Sequence, residues 1–155
     1  MRTTFSRTVL SKLGKPLMVP AVLLSVVMGG SSAIAQTSSM YNPITIPASN
    51  EITDTLSSND IPTGFGGYAR DYVIDLNEGD HLVIDVLSDE FDTIVTLIGP
   101  DGATFGENDD GPDGTTNSML FVRVTDPGRY IMRVAPYAGQ GFGAFNVKVT
   151  RLRPI

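Results

Sequence analysis

The sequence predicts an all-β domain, an antiparallel, jelly-roll-like β-sandwich with about seven or eight strands. Apolar residues recur at every second position in several short segments, and clusters of Gly, Pro, Asn and Asp separate these segments. After residue 35, no stretch of about 12 residues keeps helical spacing without a Gly or a Pro. Alternation at period two is typical of strands with one buried face, and short strands joined by regular turns are typical of a sandwich.

Residues 1–35 have the layout of a secretory signal peptide. Four basic residues and no acidic ones come first, an apolar run over residues 17–28 follows, and Ala33 and Ala35 are the small residues of a cleavage site. The apolar run is too short to span a bilayer, which takes about 20 residues. We predict cleavage after Ala35, a mature chain that begins at Gln36, and a location in the periplasm or outside the cell.

Composition and charge exclude several classes of function. The chain has no Cys and one His, so disulfides, thiol catalysis and multi-histidine metal sites are absent. Four of the 11 basic residues and none of the 17 acidic residues lie in the signal peptide, so the mature chain has a formal charge of −10. This charge argues against nucleic acid as a partner and leaves carboxylates available to extracellular calcium. No membrane span is expected after signal removal.

Two regions follow the signal peptide. Residues 36–50 are rich in Thr, Ser and Pro without a sustained pattern, and we predict an extended leader there. Residues 51–155 form the predicted sandwich domain. Alternation predicts strands on residues 72–76, 82–86, 120–124, 130–134 and 145–149, and a more continuous apolar run predicts a central strand on 94–98. Turn residues stand between these strands at 77–80, 99–102, 126–128 and 139–141.

The apolar positions that share one strand face are expected to form the core between the two sheets. They are Tyr72, Ile74, Leu76, Leu82, Ile84, Val86, Val95, Leu97, Leu120, Val122, Val124, Tyr130, Met132, Val134, Phe145, Val147 and Val149. Arg123, Arg129 and Arg133 fall on the opposite, outward faces. We expect them to form cross-strand salt bridges to Asp75 or Asp85.

Three segments carry recognisable motifs in a fixed order. They read DYVIDL–EGD over residues 71–80, SDEFDT–PDG–ENDDG over 88–111, and GRYIMRV–GAFNVKV over 128–149. Together they resemble the bacterial pre-peptidase C-terminal domain, over about residues 51–150. The resemblance implies a secreted, non-catalytic β-sandwich module of the kind attached to exported peptidases. It also implies calcium binding in some members and binding of extracellular substrates, such as collagen or polysaccharide, in others. Since no catalytic domain precedes the module in this sequence, we expect it to act through its own binding surface.

Oxygen-bearing side chains lie close together in one acidic, Gly-containing loop, and one more stands at a strand start. The candidate metal ligands are Asp92, Asn108, Asp109, Asp110 and Asp113. Calcium takes 6–8 oxygen ligands from carboxylates, amides and carbonyls, so these residue types fit Ca²⁺, the one cofactor that the sequence suggests. The alternative is a solvated turn whose Asn and Asp side chains accept hydrogen bonds from nearby backbone amides.

Aromatic residues in Gly-rich loops are the candidate ligand-binding residues. Tyr137 and Phe142 lie in such loops, as do Tyr41 and Phe65 to a lesser degree. Flat rings at the end of a sandwich can stack on sugars or on peptide side chains. The alternative is that Tyr137 and Phe142 fold inward and close the end of the sandwich.

A catalytic constellation is missing from the sequence. His81 is on a predicted polar face, and no serine has the strained-turn context of a Ser-His-Asp triad. We therefore predict a binding module for an extracellular protein or a polysaccharide, and not an enzyme. A calcium-stabilised module that binds glycan or extracellular protein is the alternative, and a hydrolase is a distant one.

Overall fold

A computed structural model describes residues 41–152 of the protein. The predicted signal peptide, its cleavage site and the start of the leader lie outside these described residues. Residues 41–152 contain no α-helix, and none of their helical segments is long and apolar enough to cross a membrane. One turn of 3-10 helix spans Tyr137–Gly139. The ten strands are β1 (Ile44–Thr45), β2 (Glu51–Leu56), β3 (Ile61–Pro62), β4 (Tyr68–Leu76), β5 (His81–Leu87), β6 (Thr93–Ile98), β7 (Thr104–Asn108), β8 (Ser118–Arg123), β9 (Gly128–Pro136) and β10 (Gly143–Leu152).

The strands form two sheets that pack face to face. Sheet A has the order β1-β4-β9-β6-β7, with β3 also paired to β4, and sheet B has the order β2-β10-β5-β8. Every pair is antiparallel except β1 with β4, which is parallel. Among the strands longer than two residues, only β6 and β7 are consecutive neighbours in one sheet, and all other connections cross between sheets. This is jelly-roll connectivity, and it confirms the predicted all-β sandwich.

The core lies between the sheets and contains all the positions that period-two alternation assigned to it. Leu56 and Phe91 join these positions as further buried members. Phe145 of sheet B makes edge-to-face contacts with Tyr72 of sheet A, at a centroid distance of 6.4 Å, and with Phe91, at 6.3 Å. Such pairs contribute about 0.5–1.5 kcal/mol beyond the burial of their surface.

Part of the leader is built into sheet A as a short strand that the sequence pattern does not indicate. Strand β1 pairs with β4 at Tyr72 and Val73, and the Ile46 N–H donates to the Val73 carbonyl at 3.1 Å. The Tyr41 hydroxyl donates to Asp71 Oδ2 at 2.6 Å. A two-residue strand is too short to produce an alternating pattern, which is why the sequence showed no strand before Glu51.

Connections of two kinds stand at the two ends of the sandwich. We call the first the loop end, and it comprises residues 57–67, 88–92, 109–117 and 137–142. We call the second the turn end, and it comprises residues 77–80, 99–103 and 124–127. The pairing of Leu56 with Gly143, of Thr93 with Pro136 and of Val86 with Ser118 places the four loop-end connections together.

Candidate binding surface at the loop end

Two of the predicted metal ligands hold the 109–117 loop in place. The Asn108 side-chain amide donates to the backbone carbonyls of Asp110, at 2.6 Å, and of Met119, at 2.7 Å. The Asp113 carboxylate accepts from the Thr115 hydroxyl at 2.8 Å and from the Thr115 N–H at 3.2 Å. These hydrogen bonds lower the pKa of Asp113 below its usual value. Asp113 therefore acts as the turn-forming alternative describes, whereas Asn108 holds the loop by donating to backbone carbonyls.

The remaining predicted ligands do not gather around a common point. Asp92 accepts a hydrogen bond from the Tyr137 N–H through its backbone carbonyl, at 2.8 Å, which joins two loops. Within residues 41–152, no group of three or more acidic or histidine side chains is placed so that it could hold a metal ion. Calcium binding by Asp92, Asp109 and Asp110 with the two residues above stays a prediction.

Three aromatic rings point into solvent at the loop end. Tyr137 is 48% exposed, Phe142 is 60% exposed, and Phe65 is 97% exposed. The end of the sandwich is instead closed by Phe91, which is buried against Phe145. Phe65, which the sequence indicates less strongly than Tyr137 and Phe142, has the most exposed ring of the three.

Glycines allow the loops that carry these rings to pack closely. A Cβ on Gly67 would lie 2.6 Å from the Gly139 carbonyl oxygen, and one on Gly139 would lie 2.5 Å from the Gly66 carbonyl oxygen. Gly67 and Gly139 also have φ values of 72° and 71°, in the left-handed region that favours glycine. The backbone of the Phe65 loop is therefore in direct contact with the Tyr137–Gly139 turn.

A polar network fixes the base of the 57–67 loop. Arg70 on β4 donates from Nε to Asp60 Oδ1 at 2.8 Å and from Nη1 to Asp54 on β2. The Tyr72 hydroxyl donates to the other oxygen of Asp54 at 2.8 Å. Burial, followed by this hydrogen bond, raises the pKa of Tyr72 above its ordinary value. The network links the two sheets at the point where the loop leaves β2, and no pattern in the sequence predicts it.

Side-chain hydrogen bonds also fix the 88–92 loop. The Ser88 hydroxyl donates to the Ala144 carbonyl at 2.8 Å and accepts from the N–H groups of Glu90 and Phe91. The Ser88 N–H donates to Asn117 Oδ1 at 2.9 Å, which ties this loop to the 109–117 loop. The exposed rings are thus presented by loops that are held by specific contacts.

The loop end is acidic. Its four loops contain no Lys, Arg or His, and their carboxylates belong to Asp60, Asp89, Glu90, Asp92, Asp109, Asp110 and Asp113. Of these, only Asp60 forms an ion pair within the described part of the chain. The surface around the aromatic rings is therefore one of uncompensated negative charge.

Arg133 and His81 both have side-chain partners within the fold. Arg133 donates from Nε and Nη2 to the two oxygens of buried Asp71, each at 2.8 Å, instead of pairing with Asp75 or Asp85. The reason is the register, which places Asp71 directly opposite Arg133. The ring of His81 stacks on Phe121 at 6.1 Å, and no hydrogen bond among residues 41–152 involves it. This arrangement does not resemble a Ser-His-Asp triad.

Comparison with known proteins identifies the fold. No protein-family model matches the chain, and no curated protein matches its sequence. Among solved structures, it is similar to the pre-peptidase C-terminal domain of collagenase from Bacillus anthracis, with a TM-score of 0.54 and 12% identity over 70% of this chain and 95% of that one. The chain has the pre-peptidase C-terminal fold.

A second solved structure shares this fold. It is Aeromonas hydrophila PliG, a periplasmic lysozyme inhibitor of g-type lysozyme, with a TM-score of 0.52 and 11% identity over 72% of this chain and 96% of that one. At these identities the likeness concerns the fold alone. The two solved structures therefore share the sandwich with this chain, and neither assigns a function to it.

Proposed function

We propose that the protein is an exported, non-catalytic module that binds a partner protein through its loop end. The observation that carries this proposal is the exposure of Phe65, Tyr137 and Phe142 on neighbouring loops. Exposing large apolar rings to water is unfavourable, and clusters of them are typical of interaction sites. Aromatic residues are also enriched in protein–protein interfaces relative to the rest of the surface.

The two solved relatives support a binding role outside the cytoplasm. One is a domain of a collagenase, and the other is a periplasmic inhibitor whose target is itself a protein. The layout of residues 1–35 supports export. Because the inhibitor acts on a protein, the likeness supports a protein over a polysaccharide as the partner of this chain. The experiment must therefore distinguish protein binding from polysaccharide binding.

The experiment starts from the mature protein immobilised on a resin. Exported proteins of the source organism are passed over it, captured proteins are identified by mass spectrometry, and each is purified for calorimetry. Purified g-type lysozyme and a chitin hexasaccharide are measured in parallel as defined protein and glycan probes. We expect a captured protein to bind the wild type and to bind Phe65→Ser/Phe142→Ser about tenfold more weakly or worse, as loss of interface hot spots produces.

The matched control is Phe121→Ser, which removes an exposed ring from sheet B, away from the loop end. It is expected to leave the affinity unchanged. Binding of the hexasaccharide alone, or equal binding by the loop-end variant and the wild type, would contradict the proposal.

A further inference from the structure

The outer face of sheet A, which is turned away from the core, is apolar next to the loop end. Next to the loop end, Ile94 lies opposite Ala135; the pair Thr96 and Arg133 follows, and Ile98 lies opposite Ile131 where β6 reaches the turn end. The outward face of β10 in sheet B is mostly polar by contrast, with Asn146, Lys148 and Thr150. In a strand with one face exposed to water, the outward positions are normally polar, so the outward isoleucines of β6 need an explanation.

An open groove, which we call the β6–β9 groove, lies on this face, and its floor is formed by Ile94, Thr96, Ile98, Arg133 and Ala135. Its volume is about 390 Å³. The loop end supplies one wall, because the Phe65 loop and the Tyr137–Gly139 turn pack against each other at that edge. The lining of the groove includes Phe65, Ile94, Thr96, Glu107, Ala135 and Ala138.

The charge of the groove is determined by one carboxylate. Arg133 also lines the groove, but both oxygens of Asp71 accept its hydrogen bonds, so its charge is compensated. Glu107 is exposed, accepts a hydrogen bond from the Thr96 hydroxyl at 2.7 Å, and has no cation within 4.0 Å among the described residues. Asp92 and Asp109 stand next in sequence to the adjoining ends of β6 and β7. An apolar floor with an acidic rim is complementary to a segment that is both apolar and cationic.

We propose that the β6–β9 groove binds an extended segment of the partner protein that carries aliphatic side chains flanked by Lys or Arg. The aliphatic side chains lie on Ile94 and Ala135 beside the Phe65 ring, and a cationic group pairs with the Glu107 carboxylate. This inference rests on the proposed function, because it names the kind of protein segment that the module recognises. A neutral glycan would leave the Glu107 carboxylate uncompensated.

The test uses peptide probes on the mature chain, followed by amide chemical shifts. The probe is acetyl-Lys-Leu-Lys-Leu-Lys-amide, and the two comparison peptides replace every Lys by Glu or every Leu by Ser. We expect the Lys–Leu peptide to shift amides of β6 and of the Tyr137–Gly139 turn, and each comparison peptide to bind more weakly. Glu107→Gln should weaken the Lys–Leu peptide about threefold, in line with one exposed ion pair.

Two further variants keep the result interpretable. Asp85→Asn neutralises a half-buried carboxylate on the outer face of sheet B and should leave peptide binding unchanged. Ile94→Ser, checked for folding by circular dichroism, should weaken binding by removing the apolar floor. The inference is overturned if the Glu–Leu peptide binds as well as the Lys–Leu peptide, if Glu107→Gln has no effect, or if the shifted amides lie elsewhere.

The same variants separate this inference from the proposed function. Phe142 belongs to the loop end but does not line the groove. One outcome is that a captured partner protein loses affinity for Phe142→Ser but not for Glu107→Gln or Ile94→Ser. In that case the proposal for the β6–β9 groove is wrong, and the proposal that the loop end binds the partner is supported. If neither these three variants nor Phe65→Ser/Phe142→Ser weakens binding of that partner, both proposals are wrong.

Discussion

The two ends of the sandwich are built in different ways. At the turn end, backbone hydrogen bonds interlock the connections: the Gly79 N–H donates to the Val124 carbonyl at 2.9 Å, and the Val124 N–H donates to the Asp80 carbonyl at 2.8 Å. At the loop end, side chains such as Arg70 and Ser88 hold the connections in place.

Exposure differs in the same direction. The loop end carries three exposed aromatic rings, whereas no large hydrophobic side chain is exposed within the described connections of the turn end. Tyr130, beside the turn end, is buried, and its hydroxyl donates to the Asp126 carbonyl at 2.7 Å. One end therefore contributes to stability through short, self-satisfied turns, and the other presents apolar surface that folding alone does not require.

The largest effect on stability is expected from a substitution in the core, on which both ends of the sandwich depend. Ile84→Asp places a carboxylate without a partner between the sheets, which costs several kcal/mol against a total stability of about 5–15 kcal/mol, so the protein should fail to fold. Val83→Asp, on the half-exposed outer face of the same strand, should remain folded. Circular dichroism and urea unfolding compare the two variants. Equal damage from both would mean that the outer face of β5 is also buried.

Calcium gives the next largest effect if it binds the acidic loop that contains Asp109, Asp110 and Asp113. An ion that binds only the folded state raises the free energy of unfolding by about 2.7 kcal/mol at 100 times the Kd. The hypothesis predicts a higher Tm in millimolar calcium than in chelator, and loss of that difference in Asp109→Asn/Asp110→Asn. An unchanged Tm in the wild type would leave the loop as an acidic turn, and a shift that survives in the double variant would place the ion elsewhere.

Arg70→Met should destabilise the loop end specifically. It removes the cation that pairs with Asp54 and Asp60, and because these groups are only partly buried we expect a loss of about 2 kcal/mol. Lys148→Met is the matched control, since its pair with Glu51 is more than half exposed and should matter by about 0.5 kcal/mol or less. Urea unfolding measures both. Similar losses would show that the network does not anchor the loop.

The smallest effect concerns the leader strand, which belongs to neither end. Burial, followed by the hydrogen bond to Asp71, raises the pKa of Tyr41 from 10.0 to about 12. The contact therefore contributes stability that is fully present below pH 10.0 and is lost as the pH rises through about 12. Titration of tyrosinate absorbance in the wild type and in Tyr41→Phe should differ by one group with a midpoint near 12. A midpoint near 10 would contradict the contact.

What the sequence could predict follows from how local each feature is. Alternation and turn composition are local signals, so the core positions and the all-β class follow from the first and the turns at Asn77 and Gly99 from the second. The Arg70 network joins residues from two strands and a loop, and no spacing rule predicts which carboxylate an arginine reaches. Arg133 shows the same limit, because its partner is determined by a strand register that the sequence does not contain.

The loop end shows a second limit. The sequence identified residue types that suit calcium, but Asn108 and Asp113 use their side chains to form the turn, and only coordinates show this. Exposure of Tyr137 and Phe142 could be suspected from their Gly-rich surroundings. That Phe65 stands beside them depends on the contact of Gly66 and Gly67 with Gly139, which are distant in sequence.

The central claim is that the loop end binds and the turn end stabilises, and calorimetry of two variants with the captured partner protein tests it most directly. Phe65→Ser/Phe142→Ser should lower the affinity about tenfold or more while leaving the Tm unchanged, because exposed side chains add little to folding. Tyr130→Phe should leave the affinity unchanged and lower the free energy of unfolding by about 1 kcal/mol, through loss of one buried hydrogen bond. The opposite pattern, with affinity lost in Tyr130→Phe and kept in the loop-end variant, would contradict the account.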